Sequence, residues 1–235
     1  MRIMYFSLSS EIIGFEKIMK KIIFLLVLFF TSLIITSSAF AERDWEYWSR
    51  YSADAPITKE VSYQIKPEWR MRNDMSYRYL FKLEQAINFK LGNYLEIAPY
   101  YVWQENKTAK GPDRSNLSYL DLTGKVPLKE LFDMKIMNRL RWQYNYNKGL
   151  TTWRNSARLT KAFKIGKLEL SPFIEDEIFY DAKLEKFNEN WASAGISFVL
   201  GKNINIGVSY LLDTKKKGND WTYANVLVTS LSLKF

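Results

Sequence analysis

The sequence contains no cysteine and no histidine in 235 residues. Without cysteine there is no disulfide, no thiolate metal site and no thiol nucleophile. Without histidine there is no Ser–His or Cys–His pair and no imidazole ligand, which removes most hydrolase and zinc chemistry. Hydrophobic residues make up 47% of the chain, a globular average, so the composition is neither that of a disordered chain nor that of a helical membrane protein. Against these absences stands one excess. Aromatic residues reach 16%, 38 rings in all (8 Trp, 15 Tyr, 15 Phe), and their placement needs a physical reason.

The longest apolar run, Ile22 to Ile35, is interrupted only by Thr31 and Ser32. A membrane-crossing helix needs about 20 such residues, so this run is too short to be one. Met19-Lys20-Lys21 precedes it and Ala39-Phe40-Ala41 closes the segment. A basic start, a short apolar stretch and a small-x-small end are the marks of a secretory signal peptide, here 1–41, cleaved after Ala41. Glu11 and Glu16 do not suit the basic region of such a peptide, which places the start of translation at Met19. The segment carries Arg2, Lys17, Lys20 and Lys21 against two acids, so +7 of the +9 formal charge belongs to residues 42–235. No cysteine follows that could carry a lipid anchor.

Beyond Val61 the dominant pattern has a period of two. Val61, Tyr63, Ile65, Pro67, Trp69 and Met71 alternate with Ser62, Gln64, Lys66, Glu68, Arg70 and Arg72. Residues i and i+2 share one face of a strand, so this is a ribbon with an apolar side and a polar side. The pattern returns around 77–91, 134–146, 204–212 and 223–235, and no window has a helical period. The chain reads as all-β. The strands are longer than the usual mode of about 5–6 residues, and a tilted bilayer-crossing strand takes roughly 9–11. Tight turns at Gly92-Asn93, Ile165-Gly166-Lys167 and Gly201-Lys202-Asn203 alternate with polar stretches over 105–115, 181–189 and 213–220, read as longer loops. Short turns at one end and long loops at the other describe a transmembrane antiparallel up-and-down β-barrel of the outer-membrane kind, occupying 42–235.

Counting turns gives ten strands: 59–72, 76–91, 94–105, 116–127, 133–147, 152–165, 168–180, 189–200, 203–213 and 222–235. Even counts are the rule in single-chain bacterial barrels, with both termini on the periplasmic side. Trp45 to Tyr51 reads as one more strand, which would require a twelfth. Ten is the expectation and twelve the alternative. In this frame the rings gain a place. Trp69, Tyr79, Trp103, Tyr144, Tyr146, Trp153 and Tyr210 fall near one set of strand ends, and Phe132 and Phe235 near the other. Two aromatic girdles at the membrane interfaces are expected of such a barrel.

The stretch Pro172-Phe173-Ile174-Glu175-Asp176-Glu177-Ile178-Phe179-Tyr180-Asp181 resembles a motif of a widespread, largely uncharacterised family of bacterial outer-membrane barrels classed as a domain of unknown function. So do Gly207-Val208-Ser209-Tyr210, Lys216-Lys217-Gly218, Asp220-Trp221 and the closing Leu231-Ser232-Leu233-Lys234-Phe235. The aromatic end resembles the signal read by the barrel assembly machinery, which would make Phe235 a contact for it. More distantly, the group is similar to oligogalacturonate-specific porins. The resemblance implies an outer-membrane location and contact with lipid and lipopolysaccharide more directly than any activity.

If the apolar face meets lipid, the polar face lines the lumen. That face carries Arg70, Arg72, Arg78, Lys82, Lys135, Arg139, Arg141, Arg154 and Arg158. Guanidinium groups stay charged and hold carboxylates bidentately, so a ladder of them favours small anionic solutes such as acidic oligosaccharides. Glu68, Glu84, Glu96, Glu175 and Glu177, with Asp121, Glu169 and Asp213, share this face. They could pair with the arginines and fill the lumen, since small barrels are filled by side chains. A narrow anion-favouring porin and a closed structural barrel are thus the two readings. Alternation places Asp176 on the opposite face from Glu175 and Glu177, and Asn138 also falls on the apolar register. Lys215 to Lys217 read as a solvated loop tip able to meet lipopolysaccharide phosphates. An enzyme at the outer rim is disfavoured by the missing histidine. No metal or cofactor site is called for, and no nucleic-acid motif accompanies the basic balance.

Overall fold

A computed structural model describes residues 44–128, 134–165, 168–201, 203–218 and 220–235. The expected signal peptide 1–41, with its start at Met19, lies outside these described residues, as do Phe132, Gly166, Lys167 and Lys202. The described residues contain no helix and twelve strands. In chain order these are β1 (Asp44–Pro56), β2 (Val61–Arg72), β3 (Tyr77–Leu91), β4 (Leu95–Thr108), β5 (Gly111–Leu128) and β6 (Met134–Asn145). They continue as β7 (Leu150–Lys161), β8 (Phe163–Ile165), β9 (Leu168–Asp181), β10 (Lys186–Leu200), β11 (Ile204–Lys217) and β12 (Asp220–Lys234).

Neighbours in sequence pair antiparallel around the wall. The short β8 continues β7 past Ala162 and pairs with the same partner, β9. β12 then pairs with β1, and the wall closes into a ring of eleven strands. The ring thus has neither ten nor twelve members, although with the short β8 the described strands number twelve. Trp45 to Tyr51 belongs to β1, a full wall strand, and it needs no further partner because its pairing with β12 is parallel, from Asp44↔Ala224 to Asp54↔Lys234. An even count follows only when every pair is antiparallel, and one parallel seam removes that constraint. The same seam sets the termini apart. Asp44 lies beside the start of β12, while Lys234 lies beside Asp54 near the end of β1.

The expected long loops are a second correction. β4 runs on to Thr108 and β5 begins at Gly111; β9 ends at Asp181 and β10 begins at Lys186; β11 reaches Lys217 and β12 starts at Asp220. The polar stretches over 105–115, 181–189 and 213–220 are therefore mostly strand, extending the wall as hairpins closed by short turns. Backbone in the left-handed region makes these turns tight, at Gly111 (φ 109°), Glu185 (φ 51°) and Gly218 (φ 62°). Lys215 to Lys217 end β11, so they are not a loop tip, and Lys215 Nζ holds Asp213 Oδ2 at 2.6 Å and Glu189 Oε1 at 3.2 Å.

Directly paired residues share a face, and burial separates the two faces. Inside are Trp48, Glu68, Arg70, Lys82, Glu84, Tyr100, Asp121, Arg141, Arg154 and Glu177, all buried. Outside, Leu120, Leu122, Ile136, Leu140, Trp153, Ile174, Ile178, Ile206 and Val208 are all exposed. A compact chain with its charges inside and its large aliphatics outside is inverted relative to a soluble protein.

Candidate functional site

The lumen is built by alternation alone: each strand contributes every second residue, and cross-strand pairing sets charges side by side. On β1–β3, Glu68 receives Arg50 Nε at 3.2 Å, Lys82 Nζ at 3.4 Å and Arg70, while Lys82 also holds Glu84 Oε1 at 2.7 Å. On β5–β6, Arg141 donates from Nε and Nη2 to the two oxygens of Asp121 at 2.6 and 2.7 Å. On β6–β9, Glu177 Oε1 accepts from Arg139 at 2.7 Å and from Arg154 Nε at 2.9 Å, and Glu175 Oε2 accepts from Arg158 Nη2 at 2.5 Å. Glu68, Asp121, Glu175 and Glu177 are each shared or bidentate, the geometry that offsets the cost of burying charge.

Two apolar clusters stand among these charges. Trp48 packs edge-on against Trp191 at 4.9 Å between centroids, and Trp191 lies 4.8 Å from Phe179, with Leu211, Val226 and Val228 alongside. The Arg70 guanidinium sits 3.5 Å from the Trp48 ring centre, and that of Arg154 sits 4.3 Å from Phe179. Across the lumen Tyr100 and Tyr119 pack together, with Arg141 4.4 Å from the Tyr119 ring. Stacking a delocalised cation on a ring supplies the charge stabilisation that water would otherwise give. The indole N–H groups are satisfied too, Trp48 by Glu46 at 2.7 Å and Trp191 by Asp213 at 2.9 Å.

Beside this layer is a cavity of about 390 Å³. Its lining begins at Arg70, Trp191 and Leu211 and extends to Ser52, Asn205 and Ser232, toward the end of the ring that carries Phe235. One wall is charged, with eight cations (Arg50, Lys66, Arg70, Lys82, Arg139, Arg141, Arg154, Arg158) against four acids (Glu68, Glu84, Glu175, Glu177). The facing wall, from β10–β12, presents Ser193, Ser197, Ser209, Ser230 and Ser232. Gly195 and Gly207 make that wall thin: a Cβ at Gly195 would collide with Ser209, and one at Gly207 with Ser230. The Nε of Arg139 is buried without a hydrogen-bond acceptor, while that of Arg50 has Glu68 Oε2 as its ion-pair partner at 3.2 Å.

Of the cations expected in the lumen, Arg70, Lys82, Arg139, Arg141, Arg154 and Arg158 line this cavity together with Glu68, Glu84, Glu175 and Glu177. The others do not. Arg72 stands near the Asp44 end beside Tyr77 and Tyr79 at 5.6 and 5.0 Å, Lys135 is exposed opposite Pro127, and Glu96 binds Lys125 at 2.8 Å. Arg78 pairs with Met71, which places it on the outward face. The cause is a bulge between Arg70 and Met71, where β3 carries one residue more than β2. The same bulge turns Tyr79 inward, where its hydroxyl donates to Glu46 at 2.8 Å. Tyr79 is thus no part of the outer girdle.

The girdle itself runs along the outside toward the Asp44 end. Tyr51, Trp69, Phe81 and Trp103 follow one another at 5.5, 5.0 and 5.9 Å. Trp142 stacks on Tyr144, Tyr144 meets Tyr146 in the β6–β7 turn, and Trp142 pairs with Trp153 on β7. Tyr210 packs against Trp45 at 6.4 Å, and the exposed Phe235 closes the chain at the far end. Sequence reasoning missed Arg50, Lys66, Trp48 and Trp191 as lumen residues. Arg50 and Trp48 lay in a segment not counted as wall, and the inward indoles broke the assumption that rings face out.

No curated protein matches the chain. A family model described as "Protein of unknown function (DUF2490)" matches residues 45–224, from the start of β1 into β12. The chain belongs to that family.

Proposed function

We propose that the chain is an outer-membrane β-barrel, exported through its signal peptide, whose lumen is a narrow passage favouring small anionic solutes such as acidic oligosaccharides. The membrane part of the reading rests on the belt of exposed aliphatic and aromatic side chains around the outside, with strands of 12 to 18 residues in the full-length wall. The solute part rests on one observation: eight cations stand against four acids around the cavity, and the buried Nε of Arg139 there has no hydrogen-bond acceptor. Carboxylates or phosphates supply such acceptors. In this reading lipid and lipopolysaccharide surround the wall, Phe235 is the contact for the assembly machinery, and the chain is not an enzyme.

Reconstitution in planar bilayers tests it. Conductance whose reversal potential under a salt gradient favours anions, reduced by acidic oligosaccharides and by Arg139→Gln with Arg158→Gln, is the expected result. A second reading, a closed structural barrel, is favoured by the Trp48–Trp191–Phe179 layer, which fills the lumen at the level where Arg70 and Arg154 stack on it. It predicts no conductance in the same experiment.

A further inference from the structure

The outward belt is interrupted across β6, β7, β9 and β10. Asn138, Ala157, Asp176 and Ala192 form a single cross-strand row. Asn138 stands between Ile136 and Leu140 on its strand, and Asp176 between the exposed Ile174 and Ile178. The row's polar members are joined to the next outward positions. Asn138 and Asn155 exchange amide hydrogen bonds at 3.2 and 3.1 Å, and Asn190 donates to Asp176 Oδ1 at 2.9 Å. Two other polar groups on the outside are covered: Asn225 is fully buried and accepts from the Tyr210 hydroxyl at 2.7 Å, and Thr229 is bonded to Tyr47 at 2.7 Å. Asn138 and Asp176, in contrast, are exposed. Lipid tails offer nothing to an exposed carboxylate or amide, and polar side chains in a membrane turn toward protein.

We propose that this face is where two copies of the chain meet in the membrane. The occupant follows from chemistry and shape. The face carries amide donors together with a carboxylate acceptor, so it is complementary to itself, as the shared patch of a two-fold interface must be. Ala157 lies between the Asn138–Asn155 and Asp176–Asn190 pairs, and with Ala192 it keeps the row low enough for two walls to approach closely, as small residues do at membrane interfaces. An axis passing Ala157 sets the amides of one copy against Asp176 of the other. The inference rests on the outward face being the lipid-facing one.

The absence of cysteine makes the test direct, because a single introduced thiol can only cross-link to its own kind. Ala157→Cys, treated with a mild oxidant in membranes, should run at twice the chain mass on a non-reducing gel. Val208→Cys, on the outward face of β11, should not. Adding Asp176→Leu to Ala157→Cys should return cross-linking to the Val208→Cys level. Equal cross-linking at both sites, or none at Ala157→Cys, overturns the interface while an unboiled sample still migrates as a folded barrel. Should the cysteine variant not fold, sedimentation of the unmodified chain in detergent decides: two chains per particle are expected, and one chain at every concentration overturns the proposal. A stripe covered by lipid headgroups or by a different protein would give that single-chain result. Failure of the unmodified chain to show heat-dependent migration would instead bring down the membrane reading beneath it.

Discussion

At the scale of single residues, the Arg141–Asp121 pair shows what the lumen asks of its charges. Both are almost fully buried and joined by two parallel hydrogen bonds. Removing one partner leaves the other buried and unpaired, a change that costs about 3–5 kcal/mol, whereas replacing both with apolar residues of similar volume is near neutral. Asp121→Ala should therefore lower the urea midpoint for unfolding from lipid vesicles far more than Asp121→Leu combined with Arg141→Met. Equal losses would mean that the pair contributes through packing. Trp48, fully buried against Trp191 and Arg70, belongs to the same scale. Trp48→Ala should cost about 3–5 kcal/mol by cavity formation and should raise single-channel conductance, because the lost ring lies in the layer beside the cavity. Unchanged conductance would place the constriction elsewhere. Alternation made most inward charges legible, including Glu175 and Glu177 on one face with Asp176 on the other. It failed at Arg78 and Tyr79 because a bulge adds a residue without any change of composition, and period-two counting then runs one position out.

At the scale of elements, strand existence was readable but the ends and the count were not. Polar residues in 105–115 and 213–220 resemble loop composition, yet beyond the apolar band the outward face of a hairpin is polar as well (Glu105, Arg114, Thr214, Lys216), and polarity no longer separates strand from loop. β1 was obscured for another reason. Trp45 to Tyr51 reads as a strand, but an all-antiparallel ring has no place for an odd one, and the parallel pairing with β12 that provides the place leaves no mark in the hydropathy of either strand. The parallel β1–β12 seam that this strand makes has a consequence of its own. Parallel ladders have slanted hydrogen bonds and are slightly less stable per residue than antiparallel ones. Backbone amides of the seam should exchange with deuterium sooner than those between β4 and β5, where pairing runs unbroken from Leu95↔Gly124 to Thr108↔Gly111. The side-chain bonds Tyr47–Thr229 and Ser52–Ser232, each 2.7 Å, narrow that difference. Protection equal to that of β4–β5 would show that they remove it.

At the scale of the whole molecule, the pattern in the sequence that carried furthest was the direction of its polarity. A period of two says that a strand has an apolar side without saying which way that side faces. Placing the apolar side outward depended on strand length and on rings clustering near strand ends, and the ring of eleven strands has that inverted arrangement. This supplies a decisive comparison between a barrel in lipid and one in water. Val208 lies in the middle of the outward side of β11, is 41% exposed and pairs with Ile196 and Thr229. On a water-facing wall, Val208→Arg would disturb nothing buried and would change stability by no more than about 0.5 kcal/mol. On a lipid-facing wall an arginine near the bilayer midplane costs about 2–4 kcal/mol. Measured by reversible unfolding from vesicles, Val208→Arg should therefore fall clearly below Val208→Leu, which keeps the belt apolar. The two variants share position, register and neighbours, so a gap between them isolates the solvent that Val208 faces. If they unfold at the same denaturant concentration, the outer wall is not in contact with lipid, and the anion-passage reading loses its membrane.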